Sequence, residues 1–108
     1  MKFLNHEFKH HDKRRILTQL LTSDIKQINT YEAVHGAILG DHFHKETIEY
    51  FYILSGVLIY NNKKILKKGD LFVVEPEEKH SLLVKSDKAV FMTFLTKPYT
   101  KENPDIHV

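Results

Sequence analysis

Apolar residues in this chain come in short β-rich runs separated by turn chemistry, and no 3.6-residue apolar stripe persists through three helical turns. The runs predict strands over Lys2 to Phe8, Ile16 to Leu21, Ile25 to Val34, Ala37 to Leu39, Tyr50 to Leu54, Val57 to Tyr60, Lys64 to Leu66, Leu71 to Val74, His80 to Val84 and Ala89 to Thr96. Strands at such spacing argue for an all-β sandwich or barrel. Asn61-Asn62 reads as a two-residue hairpin turn, because Asn tolerates the positive φ that such turns need. Lys68-Gly69-Asp70 and Ser86-Asp87-Lys88 read as further turns. Only His11 to Leu21 offers a helical alternative, through Ile16, Leu17, Leu20 and Leu21, and it is short. The segment Lys97 to Val108 carries Pro98, Pro104 and few apolar residues, and is expected to run over the surface or lie loose.

Composition narrows the class. A chain of 108 residues that is 42% hydrophobic supports one modest core, which excludes a large multidomain catalyst. Cysteine is absent, so disulfides, thiolate metal sites and a Cys nucleophile are excluded, and the cytosol is the expected compartment. The longest apolar stretch, Tyr50 to Tyr60, is interrupted by Ser55 and Gly56, and the first residues lack the apolar region of a signal peptide, so neither a membrane span nor export is expected. A net charge of +2 is too small for the field a phosphate backbone demands, which argues against nucleic acid as a partner. Lys63-Lys64 and Lys67-Lys68 read as guards of hairpin tips.

Eight His residues raise the question of a metal site, and one arrangement has a clear purpose. His42 and His44, two apart on a strand, point to the same face, and a turn through Lys45 to Thr47 brings the Glu49 carboxylate back beside them. His80, at the mouth of another strand after Pro76-Glu77-Glu78-Lys79, supplies a fourth ligand. Neutral imidazoles and one carboxylate suit a single divalent transition metal ion: Fe, Mn, Ni, Co, Cu or Zn. His6, His10 and His11 sit among Lys9, Lys13, Arg14 and Arg15 and read as surface residues; His35 belongs to a turn or rim and His107 to the tail. Glu75, Glu77 and Glu78 read as a solvated loop that would ring the barrel entrance beside His80. Tyr50 and Tyr52 have the opposite parity to Glu49 and point away from the metal face.

These residues resemble the cupin superfamily. Its first motif is Gly, five residues, His-x-His, three or four residues, Glu, six residues, Gly; Gly36, His42, His44, Glu49 and Gly56 fit every spacing. Its second is Gly, five residues, Pro-x-Gly, two residues, His, three residues, Asn. Gly69 stands the required eleven residues before His80, but Pro76 is one place late, Glu78 takes the glycine position counted from that Pro, and Val84 replaces the Asn. Twelve residues separate Gly56 from Gly69, as in compact members of the family. A His-x-His-x4-Glu pattern arises by chance roughly once in 25 chains this rich in His and Glu, and the flanking glycines lower that by a factor of roughly 700, so His richness does not account for it.

The resemblance implies a small jelly-roll β-barrel, or double-stranded β-helix, in one domain over residues 1–108, with N-terminal strands in 1–35, the metal motifs in 36–84 and a polar tail in 97–108. It spans reactions from dioxygenation to epimerisation as well as sugar-binding regulators and storage proteins, so fold alone does not assign a reaction. The expectation is a mononuclear metal-binding cupin, an enzyme on a small oxygenated or carbohydrate-like substrate, with a non-catalytic sugar-binding or sensor module as the alternative. Asp12 to Leu17, Ile28-Asn29 and Gly40 to Lys45 also resemble, loosely, the cupins that isomerise or epimerise nucleotide-linked keto sugars. Ile16 departs from the Gly of that branch and Leu39 from its Arg, a guanidinium suited to phosphate. Exposed edge strands imply a homodimer, by pairing of sheets or exchange of N-terminal strands such as Lys2 to Phe8.

Overall fold

Alternation of buried and half-buried residues along Glu49 to Ile53 and His80 to Val84 turns one face of each strand inward, and the fold follows from bringing those faces together. The computed structural model describes residues 1–108. It has eleven strands: β1 (Lys2–Phe3), β2 (Phe8–His11), β3 (Ile16–Gln19), β4 (Gln27–Val34), β5 (Ile38–His42), β6 (Glu49–Ser55), β7 (Leu58–Tyr60), β8 (Lys64–Leu66), β9 (Leu71–Val74), β10 (His80–Val84) and β11 (Lys88–Leu95). There is no helix long and apolar enough to cross a membrane.

A five-stranded sheet in the order β1-β9-β6-β11-β4 faces a four-stranded sheet in the order β5-β10-β7-β8, and every pairing is antiparallel. The result is an all-β jelly roll. Phe51, Ile53, Phe72, Val74 and Phe91 from the first sheet meet Leu58, Leu66, Leu82 and Val84 from the second in a single buried core. Phe51 stacks on Phe72 with ring centroids 4.8 Å apart and planes 4° from parallel, an offset contact that stabilises beyond area burial alone. Asn61 and Asn62 adopt φ of 49° and 58°, so the β7–β8 hairpin turn forms where the sequence places it.

The N-terminal region differs from expectation. One strand over Lys2 to Phe8 is replaced by two, because β1 pairs with β9 and the chain then leaves the sheet. The following β2 pairs only with β3, as a separate two-stranded sheet. Its turn is held by the Asp12 carboxylate, which accepts the N–H groups of Arg14 and Arg15 at 2.8 and 3.1 Å. The helical alternative over His11 to Leu21 is therefore not realised, and Phe8, Ile16 and Leu17 stay exposed.

Gly56, between β6 and β7, has φ +88°, and a Cβ there would lie 2.4 Å from the Lys88 carbonyl oxygen and 2.7 Å from the Ala89 Cα. Gly69, at φ +90°, has nothing within 4 Å of the same point. Gly56→Ala is therefore expected to cost about 2 kcal/mol or more, conformational strain and clash together, against about 1 kcal/mol for Gly69→Ala. Urea denaturation of both variants checks this, and equal losses would contradict the close approach.

Candidate metal centre

The site is built where the two sheets meet at one end of the barrel. Glu49 opens β6 and shares the inward parity of Phe51 and Ile53, so it is the last rung of the core face and is itself buried. His42 closes β5 directly opposite His80, the first residue of β10. The next pair is Ser81 with Gly40, so Asp41 is the extra residue of a bulge, with Gly40 and Asp41 at φ +85° and +59°. A bulge bends its strand and re-aims the side chains beyond it, here His42 and His44. A Cβ on Gly40 would sit 3.1 Å from the His80 carbonyl oxygen, so the small residue lets β5 lie close against the strand that carries His80.

The four side chains converge. One donor atom from each of His42, His44, Glu49 and His80 lies within 4.8 Å of all the others. The imidazole centroids stand 4.9 Å apart for His42 and His44, 4.6 Å for His42 and His80, and 5.2 Å for His44 and His80. His44 Nε2 is 3.0 Å and His80 Nε2 3.5 Å from Glu49 Oε1. On the far side of each ring, His44 Nδ1–H donates to the Asp105 carbonyl at 2.7 Å and His80 Nδ1–H to the Glu78 carbonyl at 3.3 Å.

Those outer bonds decide what the inner atoms are. A carbonyl only accepts, so Nδ1 carries the proton in both rings, and a neutral imidazole then presents a bare lone pair at Nε2. Two such lone pairs face a carboxylate oxygen that is also an acceptor. An arrangement of acceptors alone repels unless a proton or cation lies among them. Ligands about 2.1 Å from one ion stand about 3.0 to 4.2 Å from one another; the two imidazole nitrogens at 3.0 and 3.5 Å from Glu49 fall in that range, the full set lies within 4.8 Å, and nitrogen with one carboxylate is the chemistry of a divalent transition metal. The residues therefore fit the ion the sequence suggested, down to the carbonyl partners that orient metal-ligating imidazoles.

Burial holds His80 below the ordinary His range, and it does the same to His42 with help from the neighbouring His44. Burial also pushes His44 down, but its bonds to Glu49 and to the Asp105 carbonyl outweigh that and raise it. Without a metal, His44 is thus the imidazole of the three that takes up a proton most readily.

Two spaces adjoin the site, and their linings share Tyr31, His42 and Glu49. A narrow inner pocket of about 50 Å³ is walled by Leu39, Phe51, Leu82 and Phe91 and reaches His42, Glu49 and His80. An outer cleft of about 360 Å³ borders His42, His44 and Glu49 and is edged by Gln27, Asn29, Thr30, Tyr99 and Ile106. Tyr31 lines both. It stacks on Phe91 at 4.6 Å, and partial burial together with the Glu49 charge raises its phenol despite a hydrogen bond with Thr93. Neither space is lined by Lys or Arg.

Other sequence expectations meet mixed outcomes. Tyr50 and Tyr52 face outward as their parity required: the Tyr50 hydroxyl accepts from Ser23 Oγ, and Tyr52 packs against His6. His10 pairs with Asp12 on the exposed hairpin, and His35 Nδ1 donates to the Lys85 carbonyl. Glu78 is not simply solvated. It is half-buried, accepts the Tyr60 hydroxyl and the amino group of Met1, and is held below the usual carboxylate range because those bonds outweigh burial.

The tail runs over the surface, as one of the two expectations had it, but it does not lie loose. Phe43 and His107 exchange backbone hydrogen bonds at 2.9 and 3.0 Å, which lays the tail beside the chain just beyond β5. Asp105 is buried, and its Oδ1 accepts the Lys45 N–H at 2.9 Å. Its Oδ2 accepts the N–H groups of Glu46 and Thr47 at 3.0 and 2.8 Å and the Thr47 hydroxyl at 2.7 Å. These four bonds outweigh burial and hold the Asp105 carboxyl far below its ordinary range. Sequence reasoning missed Asp105 because its partners lie some sixty residues upstream and no local pattern marks it.

An antiparallel jelly roll that gathers three imidazoles and a carboxylate at one end defines a double-stranded β-helix with a candidate metal centre. The family model described as Cupin domain matches residues 30–96, and the chain belongs to the cupin family. No curated protein matches the sequence. Among solved structures, the capsular polysaccharide assembling protein CapF from Staphylococcus aureus is 19% identical with a TM-score of 0.65, covering 93% of this chain and 33% of that one. The 4-keto-6-deoxy sugar epimerase NovW from Streptomyces spheroides is 14% identical with a TM-score of 0.71, over 87% of this chain and 62% of that one. The dTDP-6-deoxy-D-glucose-3,5-epimerase RmlC from Legionella pneumophila, in complex with dTDP-4-keto-L-rhamnose, is 15% identical with a TM-score of 0.73, over 93% of this chain and 73% of that one. The chain thus spans about a third of CapF and less than two thirds of NovW, and the likeness to all three is one of fold.

In metal-free protein, imidazole NMR is expected to show His44 titrating above 6.5 and His42 and His80 below it. By linkage, the depressed pair destabilises the fold as pH falls below 6.5, because the unfolded chain takes up those protons first. The His44 contribution has the opposite sign: it is fully present below 6.5 and is lost as pH rises through its raised folded value. His44→Gln should accordingly lose more stability at acid than at alkaline pH when unfolded by urea in chelator, and an equal penalty at both would contradict the assignment.

Proposed function

We propose that His42, His44, Glu49 and His80 bind one divalent transition metal ion and that the chain is a mononuclear metal-dependent enzyme acting on a small oxygenated or carbohydrate-like molecule. The observation that carries this is the convergence of the four side chains within 4.8 Å, with the His44 and His80 Nδ1–H groups held by outer carbonyls so that both Nε2 atoms face the Glu49 carboxylate. When bound, the metal would supply a Lewis acid able to polarise a carbonyl or stabilise an enolate. The protein's own groups do the rest. Gln27, Asn29 and Thr30 offer amide and hydroxyl groups along the cleft, suited to the hydroxyls of a sugar-like ligand. Tyr31, a neutral phenol at neutral pH, stands where inner pocket and outer cleft meet and is placed to donate or hold a proton, since Glu49 serves as a ligand. The apolar walls of the inner pocket keep water from collecting behind the reacting atoms.

The fold likeness to NovW and RmlC favours a second reading, a keto-sugar isomerase or epimerase. The cleft bears on which sugar: with no Lys or Arg on its lining, it lacks the cations that would recognise a nucleotide diphosphate, and this supports an uncharged carbohydrate-like ligand. Cysteine-free composition supports work in the cytosol. A homodimer is also part of this reading, in a changed form. Lys2–Phe3 already covers the β9 edge within one chain, so the group seeking a partner is the β2–β3 hairpin with exposed Phe8, Ile16 and Leu17, together with the open edge of β4.

Elemental analysis tests the metal: stoichiometric ion is expected in the wild type and in His10→Ala, and none in His44→Ala. Thermal unfolding with and without chelator tests its coupling to the fold, with a loss of about 2.7 kcal/mol if free metal had stood at a hundred times its dissociation constant. Coincident melting temperatures, with no rise on adding metal, would leave a metal-free binding barrel as the better account. Light scattering should give about twice the 12.7 kDa protomer mass, and a value near 12.7 kDa refutes the dimer.

A further inference from the structure

We infer that Asp105 is a positioning residue for the metal centre: the tail segment it belongs to locks the His44 ring in one tautomer and one orientation, so that Nε2 is presented to the ion. This rests on the metal reading above.

Two separate contacts from one residue carry the inference. The backbone carbonyl of Asp105 takes the His44 Nδ1–H at 2.7 Å, the shortest polar contact that ring makes. The Asp105 carboxylate takes the three successive N–H groups of Lys45, Glu46 and Thr47 and the Thr47 hydroxyl, so it holds the turn that leaves His44 and returns as Glu49. One side chain thereby sets the separation of two of the four candidate ligands. The backbone is committed to this arrangement, since Asp105 itself sits at φ +50°, a left-handed conformation that Asp tolerates and β-branched residues do not. The reciprocal bonds between Phe43 and His107 clamp the segment on its other flank, and the His107 ring adds a contact to Asp105 Oδ1 at 3.2 Å. Sixty residues of sequence separate the ring from its carbonyl partner, so the orientation of His44 is a property of the docked tail and not of β5.

The arrangement differs from an ordinary capped turn in where the bonds lead. A turn needs its N–H groups satisfied, which the carboxylate does; it does not need the carbonyl of the same residue aimed at the Nδ1 of a buried imidazole. Loss of an outer partner of a ligating imidazole costs about 10- to 100-fold in metal affinity.

The probe is Co²⁺, added to metal-free full-length protein, with affinity read by chelator competition and geometry by the visible absorption of the bound ion. Asp105→Asn keeps the left-handed tendency but replaces one acceptor oxygen by a donor facing N–H groups. It is expected to bind Co²⁺ about 10- to 100-fold more weakly than wild type and to shift its absorption bands. Ser86→Ala, which removes a hydroxyl bonded to Val57 and Lys88 in a turn outside the metal centre, controls for loss of stability alone and should leave both readings unchanged. Long-range proton–nitrogen NMR of metal-free protein gives a second readout that needs no metal. Neutral His44 should carry its proton on Nδ1 in wild type, and in Asp105→Asn the ring should populate both tautomers. Unchanged Co²⁺ affinity and spectrum in Asp105→Asn overturns the proposal, as does a wild-type His44 protonated on Nε2. If wild type binds no Co²⁺ the metal reading fails separately, and the tautomer measurement then decides the role of Asp105: loss of the single tautomer in Asp105→Asn supports it and persistence overturns it. Should Asp105→Asn fail to fold, the wild-type tautomer alone decides.

Discussion

Everything at the functional end of this barrel depends on how buried acceptors are reconciled with one another. Three imidazoles and a carboxylate lie within 4.8 Å, and His44, Glu49 and His80 are almost entirely removed from water. Burial of polar groups without partners costs several kcal/mol each, so such a cluster persists only if its outer atoms are satisfied and its inner atoms share a positive charge. The Asp105 and Glu78 carbonyls meet the first condition. The second falls to His44 in the metal-free state, since it takes up a proton more readily than His42 or His80, and to a metal ion in the function proposed here.

The rest of the fold serves to bring those groups to one point. Parity along β6 places Glu49 on the face that also buries Phe51 and Ile53, so the same alternation that builds the core delivers the carboxylate. The bulge at Gly40 and Asp41 lets His42 stand opposite His80 while His44 reaches past the end of the sheet. Aromatic packing of Phe51, Phe72 and Phe91 makes a rigid floor beneath the site, which matters because ligand geometry tolerates only small errors. Above the floor, polar residues of β4 and the tail residues Tyr99 and Ile106 form the cleft, so one strand and one docked segment define what reaches the centre.

Much of this was legible in the residues because it is local. Strand β9 is a run of four apolar residues, the Asn61-Asn62 turn announces itself, and the His-x-His-x4-Glu spacing encodes a shared face and a short return. Less legible was the N-terminal region. Lys2 to Phe8 reads as one strand by composition, yet it divides because Lys2 and Phe3 find a partner in β9 while Phe8 to His11 find one in β3, a competition that no single segment reveals. Glu78 reads as solvated because a run of acids usually is, whereas the Tyr60 hydroxyl lies close enough to claim it.

The sequence by itself determined the all-β class and the identity of the four converging residues, since His42, His44 and Glu49 follow from spacing along one strand and across a short turn, and His80 from its place at the mouth of another strand, eleven residues after Gly69. Only the tertiary structure decided the orientation of those residues. Tautomer and ring direction at His44 depend on a carbonyl at Asp105, and the separation of His44 from Glu49 depends on the carboxylate of that same residue. A contact across some sixty residues leaves no periodic trace in the chain, because its strength comes from the geometry of approach and not from the order in which the residues are joined.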